Sequence, residues 1–346
     1  MMNIQALEST AKALVANEKG ILAIDESTGT CNKRFAKLGI PETAEYRGAY
    51  REMIVTTPGL NECINGAILF DETTRQHLQN GTSFIKALTD QGIIPGIKVD
   101  IGAKDMAGFP GEKITEGLDG LGERLKQYAE MGLRFAKWRA VITISKDIPT
   151  QVCIESNTHA LARYAALCQE AGLVPIVEPE ILMKGNHTLE QSFEVSEKVL
   201  VILFRHLQQQ KVMLEGMILK VSMIIPGEDC LVQASVDRVA EATIKCLLRS
   251  VPSATAGVAF LSGGQSGSLA CEHLNAMQVK YHYKLPWPLT FCFGRAIQQP
   301  AMNIWHGQAD RVHEAQKALY HRAQSSKAAV LGEYDAVADD RILVAI

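Results

Sequence analysis

Lys220 sits near the end of an apolar run, Met217-Ile218-Leu219-Lys220-Val221-Ser222, where it can act as a nucleophile. Desolvation disfavours an ammonium, lowers the lysine pKa and frees a lone pair for attack on a carbonyl carbon. A solitary lysine at a strand end more commonly carries its charge out into solvent, so the reading depends on its company. Asp25 and Glu26, Lys98 and Asp100, Lys137 and Arg139, Glu178 and Glu180, Ser262, and Arg295 each stand in or just after the second half of another short apolar run.

Taken singly, each has a plainer role. Asp25-Glu26-Ser27-Thr28-Gly29 reads as a helix cap, Glu178-Pro179-Glu180 as a solvated loop, and Lys137 and Arg139 as its ion-pair partners. Ser262-Gly263-Gly264-Gln265-Ser266 reads as a turn. Taken together they form one chemistry. Lys137 is expected to depress the Lys220 pKa further than burial alone, and Glu178 to shuttle the proton needed to dehydrate a carbinolamine. Ser262, Gly263, Gly264, Gly294 and Arg295 offer backbone N–H groups and a guanidinium to a phosphate. Lys33, Arg34 and Lys98 offer cations to a second anionic group, so the substrate is expected to be a doubly phosphorylated carbonyl compound.

Such residues converge only if the apolar runs are parallel strands. Eight runs recur, Ile21–Ile24, Ile64–Phe70, Pro95–Val99, Phe135–Ile142, Leu173–Val177, Met217–Ser222, Gly257–Leu261 and Leu289–Phe293. Their spacing of roughly 30 to 45 residues leaves room for a helix between each pair. Helical periodicity falls at 3–18, 117–131, 157–171 with Asn157 as cap, 188–208, and 235–248 with Ser235 as cap. Near-continuous apolar strands alternating with helices predict an α/β fold, a (β/α)8 barrel, whose strand C-termini gather catalytic residues on one face. An open doubly wound sheet is the alternative, but no G-x-G-x-x-G or Walker loop supports it. One barrel domain is expected over residues 1–346: an added N-terminal helix, barrel strands within about 20–295, C-terminal helices over 296–326, and a polar tail over 327–346.

Composition sets limits on partners. The 346 residues carry 35 Lys and Arg against 38 Asp and Glu, a formal charge of -3, so no basic face for nucleic acid is expected. The eight cysteines are widely spaced without a C-x-x-C pair, and the nine histidines contain no H-x-H or H-E-x-x-H cluster. These features predict reduced thiols and no metal site. The N-terminus lacks a basic start with an apolar block, and no apolar run approaches about 18 residues, so a cytoplasmic protein without membrane attachment is expected.

Several blocks carry a more specific signal. They are Gly-Ile-Leu-Ala-x-Asp-Glu-Ser-Thr-Gly at 20–29, Gly-Ile-Lys-Val-Asp at 96–100, Phe-Ala-Lys-Trp-Arg at 135–139, Val-Pro-Ile-Val-Glu-Pro-Glu-Ile-Leu at 174–182, Phe-Leu-Ser-Gly-Gly-Gln-Ser at 260–266 and Gly-Arg-Ala at 294–296. In this order, over residues 4–335, they resemble the class I fructose-bisphosphate aldolases. The resemblance implies reversible cleavage of fructose 1,6-bisphosphate to dihydroxyacetone phosphate and glyceraldehyde 3-phosphate, with no metal or other cofactor. It implies that Lys220 forms a Schiff base with the ketone, that Glu178 is the acid and base of iminium formation, and that Asp25 takes the proton of the C4 hydroxyl. Lys137 and Glu180 complete the charge network. Ser262, Gly263, Gly264, Gly294 and Arg295 hold the phosphate near the ketone, while Ser27, Lys33, Arg34 and Lys98 serve the distal one, with Arg139 also among the binding residues. A homotetramer is implied as well. The alternatives are cleavage of sedoheptulose 1,7-bisphosphate or fructose 1-phosphate, a transaldolase-like transfer, or a non-catalytic scaffold barrel.

The chain departs from the family in three places. Lys220-Val221-Ser222-Met223 replaces the usual Lys-Pro-Asn-Met, Cys292 stands where serine is common, and the chain ends Arg341-Ile342-Leu343-Val344-Ala345-Ile346 without the tyrosine that eukaryotic members use on the enamine. Tyr334 is not assigned that role. Enamine protonation is therefore expected to be slower or to use another donor. Ile342-Leu343-Val344 is expected to pack away from the site, and removal of 337–346 to leave cleavage nearly intact.

Overall fold

Strands buried on both faces need apolar side chains at every position, and the eight apolar runs supply them. The protein, described from a computed structural model, is defined over residues 3–345, with the side chains of residues 340 and 343–345 excepted. Its strands are β1 (Gly20–Ala23), β2 (Ile64–Leu69), β3 (Ile94–Lys98), β4 (Ala103–Asp105), β5 (Lys113–Thr115), β6 (Phe135–Ile142), β7 (Val174–Ile181), β8 (Ile218–Val221), β9 (Gly257–Phe260) and β10 (Leu289–Phe293). All except β4 and β5 pair in parallel, each with its neighbour in the chain, and β10 returns to β1 to close the expected eight-stranded barrel. β4 and β5 form a separate antiparallel hairpin after β3 that the sequence reading lacked.

Side chains alternate faces along a strand, and the alternation divides the barrel into two apolar layers. Ile21, Ala23, Ile68, Phe135, Val174, Ile176, Ile218, Ala259 and Cys292 point inward and pack with Leu7, Ala11 and Leu14 of the N-terminal helix, which plugs the barrel floor. Leu22, Leu69, Ile97, Trp138, Val177, Leu219, Phe260 and Phe293 point outward under the helices. Phe135 fills the floor because Gly96 leaves it room: a Cβ there would stand 2.3 Å from its ring. Deleting so fully buried a ring costs about 3–5 kcal/mol.

The same period of two places chemistry directly above the plug. Two residues beyond inward-facing Ala23, Gly96, Phe135, Ile176 and Ile218 come Asp25, Lys98, Lys137, Glu178 and Lys220. Strand phase therefore decides that the charged side chains enter the barrel and that packed hydrocarbon lies beneath them.

Several local expectations change. The opening helix spans Ile4–Leu14, capped by Asn3, and Asn17 and Glu18 take left-handed φ values of 56° and 54° to turn the chain into β1. The helix therefore stops short of the expected residue 18, and Gly20 begins β1. Asn157 is not a cap: its helix is Gln151–Glu170, capped by Thr150, and its amide reaches out to Lys113 O (2.8 Å) and Thr115 N (3.3 Å) to dock the hairpin. Ser235 does cap its helix, Val236–Ser250, as expected. Glu178 and Glu180 lie within β7, not in a solvated loop.

The expected polar tail is corrected too. The helix Val312–Leu331 runs past Ser326, Gly332 ends it at a φ of 77°, and Ala336–Ala345 forms a further helix. Its polar residues are not all solvated, because Asp339 is buried against Arg322. Ile342 is exposed, and the side chains of Leu343 and Val344 lie outside the described residues, so the expected packing of Ile342-Leu343-Val344 finds no support at Ile342.

Candidate active site

Lys137, Glu178 and Lys220 rise from β6, β7 and β8, and Asp25 follows β1 across the barrel. Lys137 Nζ stands 2.6 Å from Asp25 Oδ2 and 3.4 Å from Glu178 Oε2, and Lys220 Nζ stands 3.0 Å from Glu178 Oε1. Lys137, Lys220 and Glu178 are no more than 4% exposed. Two ammoniums and two carboxylates buried together offset one another, whereas removing one would leave an uncompensated charge.

Burial alone would push the Asp25 carboxyl up, but Lys137 and Lys220 override it and bring Asp25 down to about 2. The Glu178 carboxyl, also pushed up by burial, is held below the usual range by Lys137, Lys220 and Arg139. Burial pulls the Lys137 ammonium down, yet Asp25 and Glu178 move it up overall.

Lys220 corrects the sequence expectation. Burial and Lys137 do pull its ammonium down, as anticipated, but the net displacement is upward, drawn by Cys292 first and then by the Glu178 and Asp25 carboxylates. Cys292 adds to that rise only once it ionises, and its own thiol is pushed by burial up to about 11. At neutral pH all four groups are therefore charged, and Lys220 rests as an ammonium. Glu178 Oε2 makes no hydrogen bond, which leaves a buried carboxylate oxygen free to exchange a proton.

Above this cluster opens a cavity of about 600 Å³. Among its lining residues are Asp25, Ser27, Lys33, Arg34, Lys98, Lys137, Arg139, Glu178, Glu180, Lys220, Ser262, Gly263, Gly294 and Arg295. Gly264 adjoins them, with its Cβ position 3.9 Å from the Arg295 guanidinium. Gly263 and Gly264 take φ values of 60° and 103°, a left-handed pair that only glycine adopts freely, leaving a turn whose N–H groups can face an anion. Gln265 pins that turn: its Nε2 donates to Ser262 O at 3.1 Å, and its Oε1 meets His273 Nδ1 at 2.6 Å. Burial keeps the His273 imidazole neutral by bringing its pKa down to about 4, so Nδ1 carries the proton it donates to the amide oxygen.

The opposite rim is more committed than the sequence implied. Lys98 Nζ donates to Asp100 Oδ1 (2.5 Å) and Asp100 O (2.8 Å), and Asp100 Oδ2 accepts from Arg139 N (3.2 Å). Arg139 pairs with Glu180, so Glu180 serves Arg139 and not Lys137. Arg34 is not a free cation: it pairs with Glu26 and reaches Gln298 and Gln299, while Arg51 holds the other Glu26 oxygen at 2.9 Å. Ser27 Oγ caps the helix Thr28–Ala36 by accepting from Thr30 N, which is the plainer role available to it. Lys33 is exposed on the rim.

Sequence reasoning placed Glu26 and Asp100 at the strand ends without giving either a role, and it missed Arg51, Gln298, Gln265 and His273 as members of this network. Asp100 carried a signal, an acid two residues after Lys98. Arg51 and Gln298 carried none, since each sits at an ordinary helical position. Ser222, which replaces the family's Asn, donates to Ile181 O (2.9 Å) and accepts from Ile181 N (3.0 Å), stitching the ends of β8 and β7. Tyr334 donates to Asp339 at 2.7 Å and does not line the cavity. Among the described residues no group of three or more His, Cys, Asp or Glu side chains is arranged to hold a metal, and no helix is long and apolar enough to cross a membrane.

The family model for fructose-bisphosphate aldolase class-I matches residues 6–343. A probable fructose-bisphosphate aldolase class 1 of Xylella fastidiosa is 54% identical over 96% of this chain and 99% of its own length. The fructose-bisphosphate aldolase of Dictyostelium discoideum is 50% identical over 95% and 92%, and the cytosolic fructose-bisphosphate aldolase 6 of Arabidopsis thaliana 47% over 91% and 88%. Among solved structures, the fructose-bisphosphate aldolase of Plasmodium falciparum superposes with a TM-score of 0.93 at 44% identity, covering 96% of this chain and 95% of that one.

Proposed function

Because the chain belongs to the class I fructose-bisphosphate aldolase family, we propose that Lys220 is the nucleophile of its reaction and Glu178 the group that manages its protons. The protein is an aldehyde-lyase of glycolysis that reversibly cleaves fructose 1,6-bisphosphate to dihydroxyacetone phosphate and glyceraldehyde 3-phosphate. One observation carries the assignment of roles: Lys220 Nζ lies 3.0 Å from Glu178 Oε1 at the bottom of a cavity with cations and a glycine turn on its walls.

Lys220 rests as an ammonium, so the first step is transfer of its proton to Glu178. The free amine then adds to the ketone carbon, and Glu178 returns the proton to the carbinolamine oxygen as water leaves. The protonated iminium withdraws the electrons of the C3–C4 bond while Asp25 takes the C4 hydroxyl proton, releasing the aldehyde and leaving a neutral enamine. Lys137, between Asp25 and Glu178, keeps both ionised until each is needed. The Ser262–Gly264 turn, Gly294 and Arg295 hold the phosphate near the ketone. Lys98, Arg139 and Lys33 serve the distal phosphate, with Ser27 and Arg34 at the same rim.

Borohydride reduction in the presence of dihydroxyacetone phosphate, followed by peptide mapping, is expected to place a stable adduct on Lys220. An adduct on another lysine, or none, overturns the assignment. The reading extends to a cytoplasmic homotetramer, for which the cytosolic plant relative supports the location and sedimentation equilibrium tests the assembly.

A further inference from the structure

A second buried charge cluster lies outside the barrel. Arg322, on the helix Val312–Leu331, is 1% exposed and pairs with Asp339 of the C-terminal helix, itself 3% exposed. Asp339 also meets His321 Nε2 at 2.8 Å and accepts from Ser325 Oγ at 2.6 Å and from the Tyr334 hydroxyl at 2.7 Å. So many donors around one carboxylate fix both its position and the guanidinium it faces.

The other side of that guanidinium touches the active-site scaffold. Arg322 Nε donates to Ala296 O at 3.4 Å, and Ala296 directly follows Arg295. A Cβ at Gly267 would stand 2.5 Å from an Arg322 nitrogen and 2.7 Å from Ala296 O, so Gly267 packs its backbone against both. Gly267 opens the helix Gly267–Tyr281, immediately after the Ser262–Ser266 turn. Arg322 thus sits where the two elements assigned to one phosphate begin their helices.

We propose that the C-terminal helix is a fixed brace for the phosphate pocket near the ketone, with Asp339 acting through Arg322 as a positioning residue for the Ser262–Gly264 turn and Arg295. The inference rests on the assignment of that turn and Arg295 to phosphate binding. It reverses the sequence expectation for the chain end: removing 337–346 takes the carboxylate from a buried arginine and loosens the pocket.

The test is Asp339→Asn in the full chain, with fructose 1,6-bisphosphate as substrate and inorganic phosphate as competing inhibitor. The KM and the phosphate inhibition constant are expected to rise in parallel by about ten-fold while kcat stays within about two-fold, because binding geometry and not the lysine chemistry is disturbed. A folded variant with wild-type KM and phosphate inhibition, or one that loses kcat at unchanged KM, overturns the brace. If Asp339→Asn does not fold, Tyr334→Phe removes one donor and leaves the ion pair. Parallel rises of at least about two-fold then support the brace, and wild-type values overturn it. Borohydride trapping on the wild-type protein separates the two levels: no adduct at Lys220 undermines the active-site reading itself, whereas an adduct with unchanged variant constants removes the brace alone.

Discussion

Glu178 and Lys220 form a buried ion pair at 3.0 Å, with each residue on a separate strand and hydrocarbon packed beneath both. A buried lysine so paired is protonated at rest, and its partner is the acceptor that can deprotonate it. Nucleophile and base are thus a single unit.

Glu178→Gln separates their roles. Without the carboxylate, one of the groups that raise the Lys220 ammonium is gone while burial and Lys137 still push it down, so its pKa falls. Turnover is expected to drop by about 10²–10⁴ through loss of the proton shuttle. The pH profile of reductive trapping at Lys220 should move to lower pH, and an unshifted profile would show that Glu178 does not set the lysine's charge.

Lys137→Met leaves the Asp25 and Glu178 carboxylates without the ammonium between them. A loss of about 3–5 kcal/mol in urea-induced unfolding is expected, from a buried charge stripped of its partner. Adding Asp25→Asn should recover part of it, because the two side chains interact directly at 2.6 Å. Additive single effects would rule out that coupling.

Lys98→Ala should discriminate between substrates. If Lys98 serves the distal phosphate, kcat/KM for fructose 1,6-bisphosphate falls by about ten-fold or more while fructose 1-phosphate is affected far less. Asp100→Asn should act in the same sense, since Asp100 holds the Lys98 ammonium at 2.5 Å. Equal losses on both substrates would remove Lys98 from the distal site.

His273 predicts a pH dependence of stability. Its pKa is 6.5 when unperturbed and about 4 in the fold, so below pH 6.5 the unfolded chain binds a proton that the native state refuses. The contribution is whole above pH 6.5 and is lost as pH falls toward 4, on the order of 3 kcal/mol in all. Urea midpoints of wild type and His273→Gln, compared at pH 7 and pH 5, should show a smaller fall in the variant. Parallel falls would mean that His273 is protonated in the native state.

Much of this site is legible from residue order alone. The apolar runs determine where strands lie, and their period of two determines that Asp25, Lys98, Lys137, Glu178 and Lys220 share the inner face, because that phase is a local property of the backbone. Turn chemistry at Ser262-Gly263-Gly264 is local in the same way.

Partnership is not local. Arg34 was expected to be a free phosphate cation, but closing β10 onto β1 brings the helix Arg295–Trp305 against it, where Gln298 and Gln299 join Glu26 in holding the guanidinium. Lys220 was expected to be primed as an amine, and only the closed barrel sets Glu178 3.0 Å away, against the pull of burial and Lys137. The end of the chain follows the same rule. Asp339 looks solvated in a polar stretch, and its burial depends on an arginine in the preceding helix, a pairing set by how two helices pack. Sequence determined the elements and the faces they present; tertiary structure decided which charges meet, because electrostatic energy depends on distances that exist only once the barrel closes and the last helix docks.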